Sequence, residues 1–163
     1  MIDRRSFIKL VTSVPFLSAI SIPSFADVKS AMRDSSLIYL TPIKSDGQES
    51  SCQAEVWFSH DGVDLYVVTS VKTWRARAAS NGLNRARIWV GDLGEWKGTG
   101  GKYKTLPQLD AEATVVIDKS VEEKALQLLG DKYSMEWIVW GRRFRKGLAD
   151  GSRVMLRYRP LSV

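Results

Sequence analysis

Short runs in which apolar and polar side chains alternate make up much of this chain, and a period of two is the pattern of a half-buried β-strand. Six such runs occur, at residues 37–43, 53–59, 63–69, 85–90, 111–117 and 151–159. The second and third runs are separated by Asp61-Gly62, a typical hairpin turn, so they are predicted to pair with each other. The alternation therefore predicts a mostly antiparallel β-structure.

Two segments depart from the alternation and predict helices. Lys72 to Ser80 is rich in alanine and arginine. Val121 to Leu129 follows Asp118 and Ser120, either of which can cap a helix, and Gly130 is predicted to end it. A second helical or irregular piece is predicted after that glycine. We therefore expect one helix after the third strand and one before the last.

The remaining long segment, Gly91 to Gly101, contains five glycines and no periodicity, which predicts a long mobile connection. Strands that are few and short must close on themselves or dimerise to protect their edges. The fold class is therefore predicted to be mainly β within the α+β class. We expect a small, mostly antiparallel barrel of six strands with peripheral helices.

The N-terminus has a different character, that of an export signal. Arg4 and Arg5 precede an apolar run from Leu10 to Ile22, which is too short to cross a bilayer as a helix and is interrupted by polar residues and proline. Small residues at Ser24 and Ala26 then supply the positions that a signal peptidase reads. The alternative interpretation is an ordinary amphipathic first helix with a chance arginine pair.

These features predict a twin-arginine signal peptide over residues 1–26, with cleavage after Ala26. A single mature domain over residues 27–163 is expected, since about 137 residues suffice for one ordinary core and not for two. The twin-arginine translocase is then a partner during export, and the mature protein is expected to be periplasmic or secreted.

The net charge and the few residues able to bind a metal limit the kinds of ligand that this protein is expected to bind. The formal net charge is +6, from 24 basic and 18 acidic residues. Removing residues 1–26, with three basic and one acidic, leaves 21 minus 17, or +4. This mild positive charge favours anionic partners in general, and a small anionic ligand explains it as well as nucleic acid or a membrane surface does. For an exported protein of modest charge, no nucleic acid is expected as a partner.

Metal and nucleophile chemistry find little support. One cysteine and one histidine, without clustered carboxylates, do not assemble a usual zinc or iron site, so no metal is expected. Cys52 shares an alternating face with Ala54, Val56 and Phe58 and is predicted to be a buried structural thiol. His60 is predicted to be a solvent-facing turn residue.

The most informative segment is a strand that ends in Thr69-Ser70 and leads into a basic helix. Ser70 can cap that helix, which leaves backbone amides free at its positive end, and cations follow closely. Helix N-termini of this kind bind phosphate. The candidate site residues are Thr69, Ser70, Lys72, Thr73, Trp74, Arg75 and Arg77. The alternative is a capped surface helix whose basic residues are only solvated. In either case Arg75 is expected near the surface.

The order of a strand, Thr-Ser, a basic helix with a tryptophan, and then Asn84 to Gly91 resembles the flavin-binding split β-barrel superfamily. That group includes pyridoxamine-phosphate-oxidase-like proteins and deazaflavin-dependent nitroreductases, and the resemblance covers most of residues 37–159. It implies a split barrel in which residues 69–77 hold the phosphate of FMN or a deazaflavin. It also implies a homodimer with the flavin ring in the dimer cleft.

The chain departs from the superfamily pattern at two places. Many members have Asn-Pro between the helix and the next strand, where this chain has Gly82-Leu83-Asn84. The segment Ala54 to Trp57 also lacks the basic residues that usually complete an FMN phosphate site in the oxidase branch. These differences bear on cofactor identity rather than on the fold.

Two further segments suggest chemistry on first inspection. Gly98 to Lys102 has the glycines of a phosphate loop without its required spacing, and a flexible hairpin is the preferred interpretation. An aromatic and basic cluster is interpreted as lining the ligand cleft or the dimer edge, or as a solvated turn. Its members are Trp137, Trp140, Arg142, Arg143, Phe144, Arg145 and Lys146.

The function predicted from these features is an exported flavin-type (FMN or deazaflavin) cofactor-binding protein, acting as a small oxidoreductase on a small-molecule redox acceptor. No catalytic acid, base or nucleophile stands out. The alternative is a non-enzymatic periplasmic barrel that binds a small anionic or aromatic ligand. A homodimer is also expected from the aromatic load of Trp57, Trp89, Trp137 and Trp140.

Overall fold

A computed structural model describes residues 25–161, so most of the predicted signal peptide, residues 1–24, lies outside the described residues. Within this range the strands are β1 (Ile38–Pro42), β2 (Ala54–Val56), β3 (Ser59–His60), β4 (Leu65–Ser70), β5 (Arg85–Val90), β6 (Gln108–Val115) and β7 (Arg153–Pro160). The helices are α1 (Phe25–Asp34), α2 (Trp74–Ser80), α3 (Lys119–Lys132) and α4 (Ser134–Ala149), with 3₁₀ helices at Trp96–Thr99 and Lys102–Thr105.

The strands form one antiparallel sheet in the order β2-β1-β5-β6-β7-β4-β3. The predicted α+β class and the antiparallel pairing are confirmed. The count of six strands is wrong, because the run 53–59 divides into two short strands. β2 pairs with β1 at one end of the sheet, and β3 pairs with β4 at the other. In the predicted hairpin, only Ser59 and His60 of the first run therefore pair with β4.

The short connection between β2 and β3 determines the shape of the sheet. These strands lie at opposite ends of the strand order, yet only residues 57 and 58 separate them. Three residues of extended chain span at most about 11 Å. The two edges of the sheet are therefore close in space, and the sheet curls into a half-barrel.

The inner face of the curled sheet holds the main core. Its largest members are the strand residues Ile38, Leu40, Phe58, Leu65, Val67, Ile88, Val90, Leu109, Leu156 and Tyr158. α1 contributes Val28 and Met32, both 2% exposed, to the same core. α2 packs against β6 and β7, with Ala76 and Ala78 buried. Two helices therefore close the core that the sheet leaves open.

The predicted cleavage point lies within α1. Phe25 and Ala26 begin this helix, and Val28, two residues beyond Ala26, is already part of the core. The domain boundary at residue 27 stays a prediction. None of the helices in residues 25–161 is long and apolar enough to cross a membrane.

The outer face of the sheet is covered in two separate places. Tyr39 and Trp89, from β1 and β5, pack with Tyr103 beneath the 3₁₀ helices. The segment predicted as a mobile connection therefore includes ordered 3₁₀ structure that covers an aromatic cluster. Tyr66 and Met155, from β4 and β7, pack beneath α3 and α4.

α3 and α4 approach closely because of two glycines. Gly130 does not end α3 as predicted, since the helix continues to Lys132. A Cβ placed on Gly130 would come within 2.8 Å of the Trp137 indole, and a Cβ on Gly141 would also approach it to 2.8 Å. The indole thus occupies space that side chains at these two positions would need.

Lys132, at the C-terminus of α3, attaches this helix to α1. Its ammonium donates a hydrogen bond to the Met32 carbonyl oxygen (3.1 Å) and lies 3.4 Å from the centre of the Phe58 ring. Burial lowers the pKa of Lys132 to about 8. The buried amine therefore contacts both an apolar ring and the last turn of α1.

Two predictions about single residues are wrong. The Cys52 thiol is exposed, because β2 begins only at Ala54 and Cys52 lies in the preceding turn, where its N–H donates to Ser50 Oγ (2.9 Å). His60 is half-buried in β3 opposite Leu65, and burial lowers the pKa of its imidazole.

Tyr133 holds the connection between β2 and β3 in place. Its hydroxyl accepts a hydrogen bond from the Phe58 N–H (3.0 Å) and donates one to the Ser36 carbonyl oxygen (2.7 Å). Its ring stacks on Trp57 with centroids 4.4 Å apart. Phe58 lies between two strands and its N–H is not paired with a neighbouring strand, so the Tyr133 hydroxyl supplies its hydrogen-bond acceptor.

We expect Tyr133→Phe to lower the free energy of unfolding by about 1–3 kcal/mol, because the buried Phe58 N–H loses its acceptor while ring stacking is kept. Tyr103→Phe is the matched control, since Tyr103 is buried and its hydroxyl makes no hydrogen bond within residues 25–161. Denaturant unfolding of both variants measures the difference. Equal losses would show that the hydroxyl of Tyr133 has no special role.

Candidate functional site

A cleft of about 520 Å³ opens beside the start of α2. It is lined by Lys44, Glu49, Ser50, Ser51, Cys52, Gln53, Trp74 and Lys104. A smaller cavity of about 40 Å³ shares Cys52, Gln53 and Trp74 with it and adds Leu40, Pro42 and Arg75. The cleft therefore lies between the end of β1, the segment before β2, and the first turn of α2.

Arg75 is placed differently from the prediction, since its side chain turns inward rather than lying near the surface. Its Nε is buried and has no hydrogen-bond partner among the described residues. Burial lowers the pKa of Arg75, and the nearby Tyr158 and Glu55 oppose this shift only in part. The Nε of this part-buried guanidinium has lost its hydration without a replacement.

Charge in the wider cleft is mainly positive. Its single carboxylate, Glu49, is paired with Lys104 (2.6 Å) and with Arg87 (3.2 Å). The hydrogen bond to Glu49 is the main reason that the pKa of Lys104 is raised. Lys44, also in the lining, pairs with Asp46 at the surface (3.4 Å). Lys104 therefore shares its carboxylate partner with Arg87, and an anion that enters this cleft meets two lysines and one carboxylate.

The hydroxyl groups of the predicted phosphate site are used to build the turn before α2. Ser70 is not the helix cap, because α2 begins one turn later and Thr73 is its N-cap. Thr73 Oγ1 donates to the Ser70 carbonyl oxygen (2.8 Å), accepts from the Ala76 N–H (3.4 Å) and lies 3.2 Å from Thr69 Oγ1. Ser70 Oγ accepts from the Lys72 N–H (3.2 Å).

Of the seven predicted residues, the structure thus brings Trp74 into the lining of both cavities and Arg75 into the lining of the smaller one. Lys72 and Arg77 are exposed and are not part of its lining. Sequence analysis missed Lys44, Gln53 and Lys104. Lys44 and Lys104 lie far from the helix along the chain, and only the curl of the sheet brings their loops beside it.

The cleft contains groups for binding rather than for acid–base chemistry. No histidine lines it, because the one histidine of the chain, His60, lies in β3. The Cys52 thiol is present, and the one carboxylate of the lining, Glu49, is engaged by Lys104 and Arg87. Within residues 25–161, no group of three or more His, Cys, Asp or Glu residues is placed to hold a metal ion.

The fold is that of known small proteins, although sequence similarity is low. No protein-family model and no curated protein matches the sequence. A heme storage protein from Vibrio cholerae has a similar structure with a TM-score of 0.57 and 15% identity, covering 85% of this chain and 91% of that protein. A candidate 5-nitroimidazole antibiotic resistance protein from Bacteroides thetaiotaomicron has a TM-score of 0.58 and 10% identity, covering 86% and 82%.

A candidate pyridoxamine 5′-phosphate oxidase from Listeria innocua also matches, with a TM-score of 0.53 and 13% identity, covering 84% of this chain and 93% of that one. These structures share the split-barrel fold of pyridoxamine-phosphate-oxidase-like proteins. The split-barrel fold predicted from the sequence is therefore confirmed. At these identities the similarity concerns the fold alone.

We expect Arg75→Met to raise the free energy of unfolding of the ligand-free protein by about 1–2 kcal/mol, because it removes an unpartnered buried polar atom and keeps most of the apolar stem. The control is Arg77→Met, an exposed position of the same helix, with an effect within about 0.5 kcal/mol. Thermal and denaturant unfolding without ligand measure both changes. Destabilisation by Arg75→Met would mean that the guanidinium is already satisfied within the protein.

Proposed function

We propose that this protein is an exported cofactor-binding protein that holds FMN or a deazaflavin in the cleft beside α2 and acts as a small oxidoreductase. The part-buried side chain of Arg75, whose Nε has no partner among the described residues and which lines the small cavity next to the basic cleft, is the observation that carries the proposal. Cavities of about 300–1,000 Å³ suit cofactor-sized ligands, and the main cleft falls in this range.

The residues in the cleft fit an anionic, planar ligand. A phosphate oxygen near Arg75 would supply the acceptor that its buried Nε lacks, and a guanidinium binds phosphate well. Lys44 and Lys104 add positive charge at the open end. Trp74 supplies an aromatic surface between the two cavities. Flavin is the cofactor that the resemblance to the split-barrel superfamily implies.

In this proposal the chain binds and orients, and the bound flavin supplies the capacity to accept and release a hydride. Arg75 holds the phosphate, Trp74 and Gln53 limit the position of the remainder, and the lysines favour an anionic form. The cleft lining offers no imidazole to a heme iron, since His60 lies outside it. The electron acceptor is a small molecule or a redox partner.

Export and self-association are further parts of the proposal. The arginine pair, apolar run and small residues of segment 1–26 support twin-arginine export, and N-terminal sequencing of exported protein should begin at Asp27. A protein that begins well beyond Asp27 would contradict this.

A homodimer is supported by the superfamily resemblance, and light scattering should show twice the monomer mass.

The decisive test is titration of the protein with FMN and with the deazaflavin, followed by flavin fluorescence. Arg75→Met should weaken binding about 10- to 100-fold, because a charge-assisted hydrogen bond is lost. Lys104→Gln should weaken binding about tenfold, since it removes a cation of the cleft.

Matched controls are available close to each position. Arg77→Met lies in the same helix as Arg75, and Lys102→Gln lies in the same 3₁₀ helix as Lys104, but neither residue lines the cleft. Both should leave affinity within about twofold. If the wild-type protein binds neither cofactor, the flavin proposal fails. A colourless protein that still binds small anions through Arg75 would instead support the non-enzymatic binding barrel.

A further inference from the structure

The N-terminal half of α4 carries an apolar face that no part of residues 25–161 covers. Met135, Ile138 and Val139 are 78%, 68% and 53% exposed. Positions separated by three or four residues share one side of a helix, so these three form one patch. Such large exposed side chains in a contiguous group are typical of an interaction surface.

The C-terminal half of the same helix is basic. α4 carries four basic residues and a single acidic one, Glu136. Arg142 and Lys146 follow Met135 and Ile138 at helical spacing on the exposed side. Arg142, Arg143 and Lys146 have no carboxylate within ion-pair distance among the described residues, whereas Arg145 pairs with Glu123 (2.5 Å). We call this combined surface, residues 135–146, the α4 face.

Trp140 and Arg143 belong to the α4 face and have the amphipathic character of side chains at a membrane interface. The Arg143 guanidinium lies 4.9 Å from the centre of the Trp140 ring. The ring also contacts Trp57 and Phe144, so its inner edge is packed while its outer part is exposed. Tryptophan and arginine in this arrangement are typical of side chains at the headgroup level of a bilayer.

We propose that the α4 face binds the surface of a bilayer containing anionic phospholipids. The apolar half matches the acyl boundary of the membrane, and the unpaired cations match anionic headgroups, so charge complementarity selects this partner. A neutral bilayer would offer no negative charge to the cations of the α4 face. Nucleic acid would pair with the cations but would leave the apolar patch exposed to water. α4 lies along the surface in this arrangement, with Ile138 pointing into the lipid.

The opposite side of α4 fixes the helix to the protein. Gly141, Phe144 and Gly147 are buried against α3 and β7. The helix can therefore present its outer side without leaving the fold. Because none of the residues of the α4 face lines the cofactor cleft, binding at the two surfaces can be tested separately.

The test uses the full chain in a Cys52→Ser background, with a single new cysteine carrying an environment-sensitive fluorophore. Ile138→Cys reports the α4 face, and Ser45→Cys, in the exposed turn after β1, is the control. Vesicles of phosphatidylcholine mixed with phosphatidylglycerol should shift the emission of the label at 138 to the blue and should leave the label at 45 unchanged. Salt should reverse the shift.

A second arm measures vesicle affinity by the same signal after charge removal. The double variant Arg142→Gln/Arg143→Gln should weaken binding about 25-fold, since each basic residue near an anionic surface contributes about fivefold. The matched control, Lys97→Gln/Lys102→Gln, removes the same charge from exposed positions beside the 3₁₀ helices and should change affinity less than about twofold.

Three results would overturn the proposal. Vesicle binding without a shift at position 138 would show that another segment, including the apolar run 10–22, makes the contact. An equal shift with phosphatidylcholine alone would show that anionic headgroups are not recognised. A shift that depends on protein concentration and needs no vesicles would show that a second copy of the chain covers the α4 face.

Discussion

The two-residue connection between β2 and β3 is the constraint on which the remaining architecture depends. It places the two ends of a seven-stranded sheet within about 11 Å of each other, so the sheet must curl. The inner face of the curled sheet holds the main core, and its outer face is covered by two separate groups of helices. α1 and α2 then close the inner core, while the 3₁₀ helices and the α3–α4 pair cover separate parts of the outside.

The curl also explains why the candidate site combines distant parts of the chain. α2 closes the half-barrel through alanines at positions 76 and 78, and this brings its first turn against the end of β1. Arg75 precedes the buried Ala76 in α2, and its Nε is buried as well. We expect a guanidinium held in this way to lower the stability of the ligand-free protein, and in the proposed function it is available to an anionic ligand, which is a common relation between function and stability.

The alternation of the sequence predicted several strands well because their inward-facing positions are apolar core residues, and β1, β4, β5 and β7 lie within or close to the predicted runs. The break after Val56 was not predictable, since it depends on the hydroxyl and ring of Tyr133, far along the chain. The alternating face was extended to Cys52, but β2 begins only at Ala54, so the burial predicted for this thiol is wrong. Local sequence indicated the chemistry of the segment 69–77, but only the fold determined that Arg75 turns inward and that Arg77 does not.

The packing of Gly130 and Gly141 around one indole has a mechanical consequence. Both helix backbones approach the Trp137 ring so closely that a single added methyl group on either glycine would need the same space. Because the indole belongs to α4 and lies against the backbone of α3 at Gly130, sliding one helix along the other would first have to displace this ring. We therefore expect the two helices to resist shear as a unit, with Tyr133, the one residue between them, held at their junction.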